Sequence, residues 1–293
     1  MKRNLIKIIN IPISILYWSR VFCRKYVKSI HVMTAEETLK LIVSKRLSVS
    51  RYGDGEMLII KGKDIGFQSY SSELSRRLIE VLKNIEANHL VCIPRSLVDF
   101  SPYTLEASVF WKWTFVKHIG HWKKFLKQNY IYGDSLFTRF YIDMKEKTYT
   151  CNRLAVLKML WNDRDLLIVE GMESRLGIGN DLFDNAHSIQ RILCPSINAF
   201  SYYDRIKVEV QKFSKHALVL IALGPTATVL AYDLSVLGYQ SIDIGHIDIE
   251  YEWYLRNAKF KIPIPGKFVN ECHSVGEELK DDIYQRQIVS IIR

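Results

Sequence analysis

Residues 217–252, ALVLIALGPTATVLAYDLSVLGYQSIDIGHIDIEYE, constrain the fold more tightly than any other stretch. The apolar run Ala217 to Leu223 has the length and composition of a parallel strand buried on both faces. Gly224-Pro225-Thr226 then opens a helix, because proline at the first helical position gives up an N–H that would have had no partner. The helical pattern runs to Leu237 and stops at Gly238, the residue type that most readily takes the left-handed turn past a helix end. A short strand, Gln240 to Gly245, completes a strand–helix–strand unit. The apolar phase changes at Gly245-His246, which marks a bulge or a strand end. Beyond it acidic and apolar residues alternate, and an extended chain there would project His246, Asp248, Glu250 and Glu252 to one side.

The rest of the chain repeats this rhythm. Thr34 with Glu37 forms a capping box that starts a helix running to about Arg46. Strands are expected at Leu47–Ser50, His89–Ile93, Leu166–Glu170 and Gln190–Cys194. Helices are expected from Ser72 to about Ile85, over 106–128, from Cys151 to Trp161 and from Asn198 to Phe213. Strands alternating with helices argue for an α/β fold with a Rossmann-like, doubly wound, mostly parallel sheet. At 293 residues and 48% hydrophobic, the chain can bury one large core of this kind. The expected division is a basic amphipathic segment over 1–33, a single domain over 34–270 and a charged tail over 271–293.

The net charge of +10 is local rather than general. Residues 1–30 hold seven Lys/Arg and no acid, and without them the balance is 34 basic to 31 acidic. Lys112 to Lys127 adds five lysines without an acid. This argues for one or two anionic contact surfaces and against a general nucleic-acid binder. The apolar segment from Ile8 to Trp18 is too short to span a bilayer and has no small-residue cleavage site. It suits a helix on an anionic membrane surface, or equally a helix packed on the domain. The stretch 111–127 has the same two readings, a contact surface or a core helix with a lysine face. Five scattered cysteines without a CxxC read as reduced thiols in a cytoplasmic protein.

In open α/β sheets, ligands bind beyond the carboxyl ends of the strands. Segments 51–56, 94–96, 171–181 and 224–228 each follow a predicted strand and are expected to line one crevice. The helix start at Gly224, Pro225 and Thr226 offers free N–H groups and a positive dipole end, which suit a phosphate. Glycines 171, 177 and 179 let the backbone approach a ligand, and Arg175 beside them can hold a phosphate bidentately. Neither a dinucleotide GxGxxG fingerprint nor a P-loop is present. Two D-x-E spacings occur, Asp54/Glu56 between glycines and Asp248/Glu250 after the phase change. Carboxylates so spaced can hold a hard divalent cation, and each pair can also be a plain solvated turn or edge.

Three motifs in order, RYGDGE at 51–56, EGMESRLGIGNDLFDNA at 170–186 and LGPTATVLAYDLSVLGYQSIDIGHIDIEYEW at 223–253, resemble the bacterial glycosyltransferases of the GT-D fold. The resemblance covers about residues 35 to 270. It implies a UDP-sugar donor, Mn²⁺ or Mg²⁺ held by a D-x-E motif, and a glycan, glycoprotein or lipid-linked acceptor in bacterial surface-glycan assembly. Both D-x-E pairs match that motif; Asp248 and Glu250 are the expected metal ligands, with Asp54 and Glu56 for catalysis, as general base or in contact with the donor sugar. Arg51, Gly53, Arg175, Asn180, Gly224, Pro225, Thr226 and His246 are expected to contact substrate. The expected place is the cytoplasm, including the inner face of the plasma membrane. The rival reading is a non-catalytic nucleotide-sugar or nucleic-acid binding protein that uses segments 1–30 and 111–127.

Overall fold

The computed structural model of the chain describes residues 2–22, 27, 29–84, 86–267 and 281–293. Its strands are β1 (His31–Val32), β2 (Ser48–Arg51), β3 (His89–Ile93), β4 (Ile131–Asp134), β5 (Asp165–Gly171), β6 (Ser188–Cys194), β7 (Leu218–Ala222), β8 (Gln240–Asp243) and β9 (Ile288–Ile291). They form one parallel sheet in the order β1-β4-β3-β2-β8-β7-β5-β6-β9. Around it lie α1 (Lys2–Tyr17), α2 (Ala35–Lys45), α3 (Asp54–Ile60), α4 (Ser72–Lys83), α5 (Leu105–Phe125) and α6 (Thr150–Lys158). The later helices are α7 (Tyr203–Val210), α8 (Pro225–Val236), α9 (Ile247–Leu255) and α10 (Asp282–Gln287).

The central strands are apolar along their whole length because helices cover both faces. Leu166 and Ile168 of β5 and Leu218 and Leu220 of β7 pack into one core with Leu39 and Ile42 of α2. The intervening Leu167, Val169, Val219 and Ile221 pack on the other face against Ile206, Leu230 and Leu234 of α7 and α8. Burying each such aliphatic side chain stabilises the fold by about 1.5–3 kcal/mol. The capping box forms as expected: Glu37 N–H donates to Thr34 Oγ1, and Thr34 N–H donates to the Glu37 carboxylate. Helix α8 is buried from Pro225 to Ser235, since it lies against β2, β8 and α4.

Several elements differ from the sequence expectation. The segment after Gly245 is not extended but forms α9, with Ile247 through Trp253 all buried. Enclosure on every side removes the polar–apolar period by which a helix is recognised. Residues 54–60 are a helix rather than a turn. The short β4 and the half-exposed edge strand β9 carry weak patterns and were not foreseen. Residues 281–293 of the expected tail supply α10 and β9, which pairs with β6, while 271–280 lie outside the described residues, as do Cys23 and Cys272.

The N-terminal segment folds onto the domain. Ile13, Tyr17 and Val21 are buried, and the Tyr17 hydroxyl donates to the Leu97 carbonyl. The partner is α5, whose Trp111, Phe115, Trp122 and Phe125 are buried in the same core. The stretch 111–127 is therefore a core helix with a lysine face: Lys112 Nζ binds Asn10 and Ser14 of α1, and Lys117 lies over Trp113. No helix among the described residues is long and apolar enough to cross a membrane.

Gly133 in β4 shows how closely the sheet and α2 approach. A Cβ there would run into Cys92 Sγ and meet Leu90 and Thr38 side chains at 3.0 Å. Gly133→Ala is expected to lower stability by about 1–3 kcal/mol in chemical denaturation, and adding Cys92→Ala should restore part of that loss.

Candidate active site

The carboxyl ends of β2, β4, β5, β6, β7 and β8 open on one cleft of about 1280 Å³. At its centre β2 ends in Arg51 and β8 in Asp243. Arg51 Nη2 and Nε donate to Asp243 Oδ1 at 3.2 and 3.3 Å, and Nη1 donates to the Ser135 carbonyl and to Thr138 Oγ1 at 3.0 and 2.6 Å. Gly245 takes φ +47°, and a Cβ there would collide with this guanidinium. The phase change read in the sequence thus marks the turn that lets Arg51 lie across the end of β8.

Beyond Arg51 the chain turns through Tyr52 and Gly53 into α3, which carries Asp54 and Glu56 in its first turn. Gly53 N–H donates to Glu56 Oε2 at 2.7 Å, so the carboxylate closes the helix start and stands at the cleft wall. Burial, then the neighbouring Asp243, push the Glu56 carboxyl up to about 7. Burial also raises Asp243, against the pull of Arg51. Asp54, Glu56 and Asp243 all line the cleft.

The start of α8 adjoins this centre, with Thr228 Oγ1 donating to the Arg51 carbonyl. Gly224 lines the cleft at φ +55°, with Phe67 packed where a Cβ would be. The helix dipole and its first N–H groups make this end attractive to an anion. Thr226 is fully buried, and neither it nor Pro225 lines the cleft, so any contribution here comes from backbone. Ser174 and Ser196 add hydroxyls, and His246 lines the cleft before α9.

Other sequence-predicted features are bound into the scaffold. Residues 94–96 do not line the cleft; Arg95 is bound to the Val32 carbonyl and to Asp99. Arg175 does not line it either, and its Nη1 donates to the Gly266 carbonyl at 2.7 Å. Asn180 Nδ2 donates to Asp248 and Glu252 at 2.9 and 2.7 Å. The pair Asp248/Glu250, expected side by side on a strand, is split by the turn of α9. Asp248 shares a helix face with Glu252, and both are neutralised by buried Lys267, at 2.7 and 3.2 Å. Glu250 points away, accepts from the N–H groups of Tyr141 and Ile142 at 3.1 and 3.0 Å, and lies 3.8 Å from Arg139. Only Asp248 of the two lines the cleft, and its oxygens are already engaged by Lys267, Gly177 N–H and Asn180. This pair does not fit a cation.

The profile of the family described as "Glycosyltransferase GT-D fold" matches residues 49–272. The chain belongs to the GT-D glycosyltransferase family. It is 41% identical over 268 residues to a probable glycosyl transferase Gly of Streptococcus gordonii, covering 90% of this chain and 39% of that protein. It is 39% identical over 270 residues to glycosyltransferase GlyD of Streptococcus pneumoniae, covering 90% of this chain and 33% of that one. The chain thus spans well under half the length of these relatives. A solved structure described as a new glycosyltransferase from Streptococcus sanguinis superposes with TM-score 0.86 at 40% identity, covering 90% of this chain and all of that one (100%). Another, described as the highly conserved domain of unknown function 1792 with a distinct glycosyltransferase fold, gives TM-score 0.88 at 40% identity, covering 91% and 97%. The GT-D sheet is accordingly the α/β sheet expected from the sequence.

Sequence reasoning passed over Asp243, Ser135 and Ser196, whereas Ser174 falls in the predicted segment 171–181. Asp243 alone carried a signal, an acid at the end of a short apolar strand. The remainder reach the cleft only through strand order.

Two outcomes follow for the enclosed carboxylates. Lys267→Met leaves Asp248 buried without its cation, while Glu252 keeps Arg256, and should cost about 3–5 kcal/mol in denaturant unfolding. Glu250 is held at about 7 by burial against an ordinary 4.5, so the folded state keeps its proton longer than the unfolded one. Stability should therefore fall as pH rises from 4.5 to 7, and Glu250→Gln should flatten that slope by on the order of 2–3 kcal/mol in pH-dependent melts.

Proposed function

We propose that this GT-D chain transfers a sugar from a UDP-sugar donor to a hydroxyl of a glycan, glycoprotein or lipid-linked acceptor in surface-glycan assembly, on the cytoplasmic side of the membrane. The observation that carries the reading is two features that line one cleft, the Gly224 helix start and the carboxylates Asp54, Glu56 and Asp243. The helix start, with Gly171 and the Ser174 and Ser196 hydroxyls, suits the donor diphosphate.

The same carboxylates suit Mn²⁺ or Mg²⁺ as oxygen ligands, and Asp243, after burial itself, raises the Glu56 carboxyl. Among the described residues no three acidic, His or Cys side chains converge as a ready metal cage. That suits a cation taking one or two carboxylates, with its other ligands from donor phosphates and water. Asp54 would hold the ion, which when bound neutralises the charge of the departing diphosphate. Glu56, near 7, is matched to accept the acceptor's proton in an inverting transfer, and Gly53 N–H keeps its carboxylate in place. Arg51 acts as a brace that sets Asp243 rather than as a free ligand.

UDP release from a panel of UDP-sugars with Mn²⁺ or Mg²⁺ tests this. Asp54→Asn and Glu56→Gln should each lower kcat by about 10²-fold or more. The wild-type kcat/KM should rise with pH through about 7, as Glu56 loses its proton, and Glu56→Gln should lack that limb. Full activity in both variants, or no release from any donor, would overturn the proposal.

A further inference from the structure

We propose that the chain docks on an anionic membrane surface through the outward face of α1, beside the mouth of the cleft. The proposal deepens the transfer reading, on which it rests for the direction from which an acceptor arrives.

One side of α1 is fixed to the domain. Tyr17 stands edge-on to Phe100 at 5.0 Å, and Lys112 Nζ holds Asn10 and Ser14 at 3.0 and 2.9 Å. The opposite side is therefore held outward. It carries Ile8, Ile11, Ile15 and Trp18, which are 66, 65, 64 and 52% exposed. At helical spacing these four fall within an arc of about 80°. A stripe of three isoleucines left to water, continued by the half-exposed Trp18, is an interaction surface, not the scatter of single apolar residues normal on a protein. On α5, against which α1 packs, Phe110 and Trp113 are 50 and 49% exposed, and Lys117 lies 4.4 Å from the Trp113 ring.

Charge selects the occupant. Residues 1–30 hold seven Lys/Arg and no Asp or Glu, and 112–127 hold five lysines and no acid. Apolar anchors on a segment whose charges are all basic match a bilayer containing anionic lipid, where each basic residue near the surface adds attraction. A second copy would bring the same cations face to face. The docked face also adjoins the reaction site: Ile6 and Lys7 of α1 and Phe110 of α5 line the cleft, and Lys259 and Phe260 line it too. An acceptor carried in the membrane would meet the cleft without leaving the surface.

Co-sedimentation of the full chain with phosphatidylcholine vesicles, with and without phosphatidylglycerol, tests the docking. Binding is expected only with phosphatidylglycerol and should weaken as salt rises. Ile11→Glu/Ile15→Glu should lower the partition coefficient about tenfold or more, and the milder Ile8→Ser should lower it less, with both melting as wild type. Absence of binding to phosphatidylglycerol vesicles, or binding untouched by either variant, would overturn docking. A dimer in analytical ultracentrifugation that Ile11→Glu/Ile15→Glu dissociates would also overturn it, by giving the face to a second copy. Vesicle binding without UDP release from any donor would remove the transfer reading and leave docking standing.

Discussion

The site depends on a polar seam at the centre of an otherwise apolar sheet. Strands β2 and β8 lie 192 residues apart in sequence at their ends, and a single backbone register pair, Val49 with Ile242, joins them. Side chains make up the join: Ser241 N–H donates to Ser48 Oγ, Thr228 Oγ1 donates to the Arg51 carbonyl, and Arg51 closes on Asp243. These groups are buried, and each finds a partner across the seam, which is the condition for keeping polar groups inside a core. Without that stitching the strand ends would part where the cleft carboxylates stand. The Arg51–Asp243 pair is both scaffold and wall of the site.

Two D-x-E spacings show how context, not spacing, decides chemistry. Asp54 and Glu56 sit in the first turn of α3, where the backbone N–H groups favour negative charge and the cleft gives access. Asp248 and Glu250 have the same spacing within α9, but the helix turns them apart, and each meets its own buried partners. Lys267, nineteen residues on, meets Asp248, and two N–H groups of the loop after β4 meet Glu250. A carboxylate whose lone pairs are already filled by buried donors has little left for a metal.

Much of the architecture was legible because the local signals agreed with one another. The apolar run 217–223, the proline at the start of α8 and Gly238 at its end specify a strand–helix–strand unit through short-range sterics and burial alone. The capping box at Thr34 was readable for the same reason. The helix 247–255 was not, since its alternation of acid and apolar residues mimics a strand when every side of a helix is enclosed.

What the sequence by itself determined is therefore the parallel α/β sheet, its helix starts and the set of carboxylates and glycines near strand ends. Those follow from interactions within a few residues. Only the tertiary structure decided which carboxylates face the cleft, that Arg51 braces Asp243, that Arg175 and Asn180 serve the scaffold, and that α1 packs one face and exposes the other. Each of these depends on partners distant along the chain, and no local pattern records what a side chain will meet across a sheet.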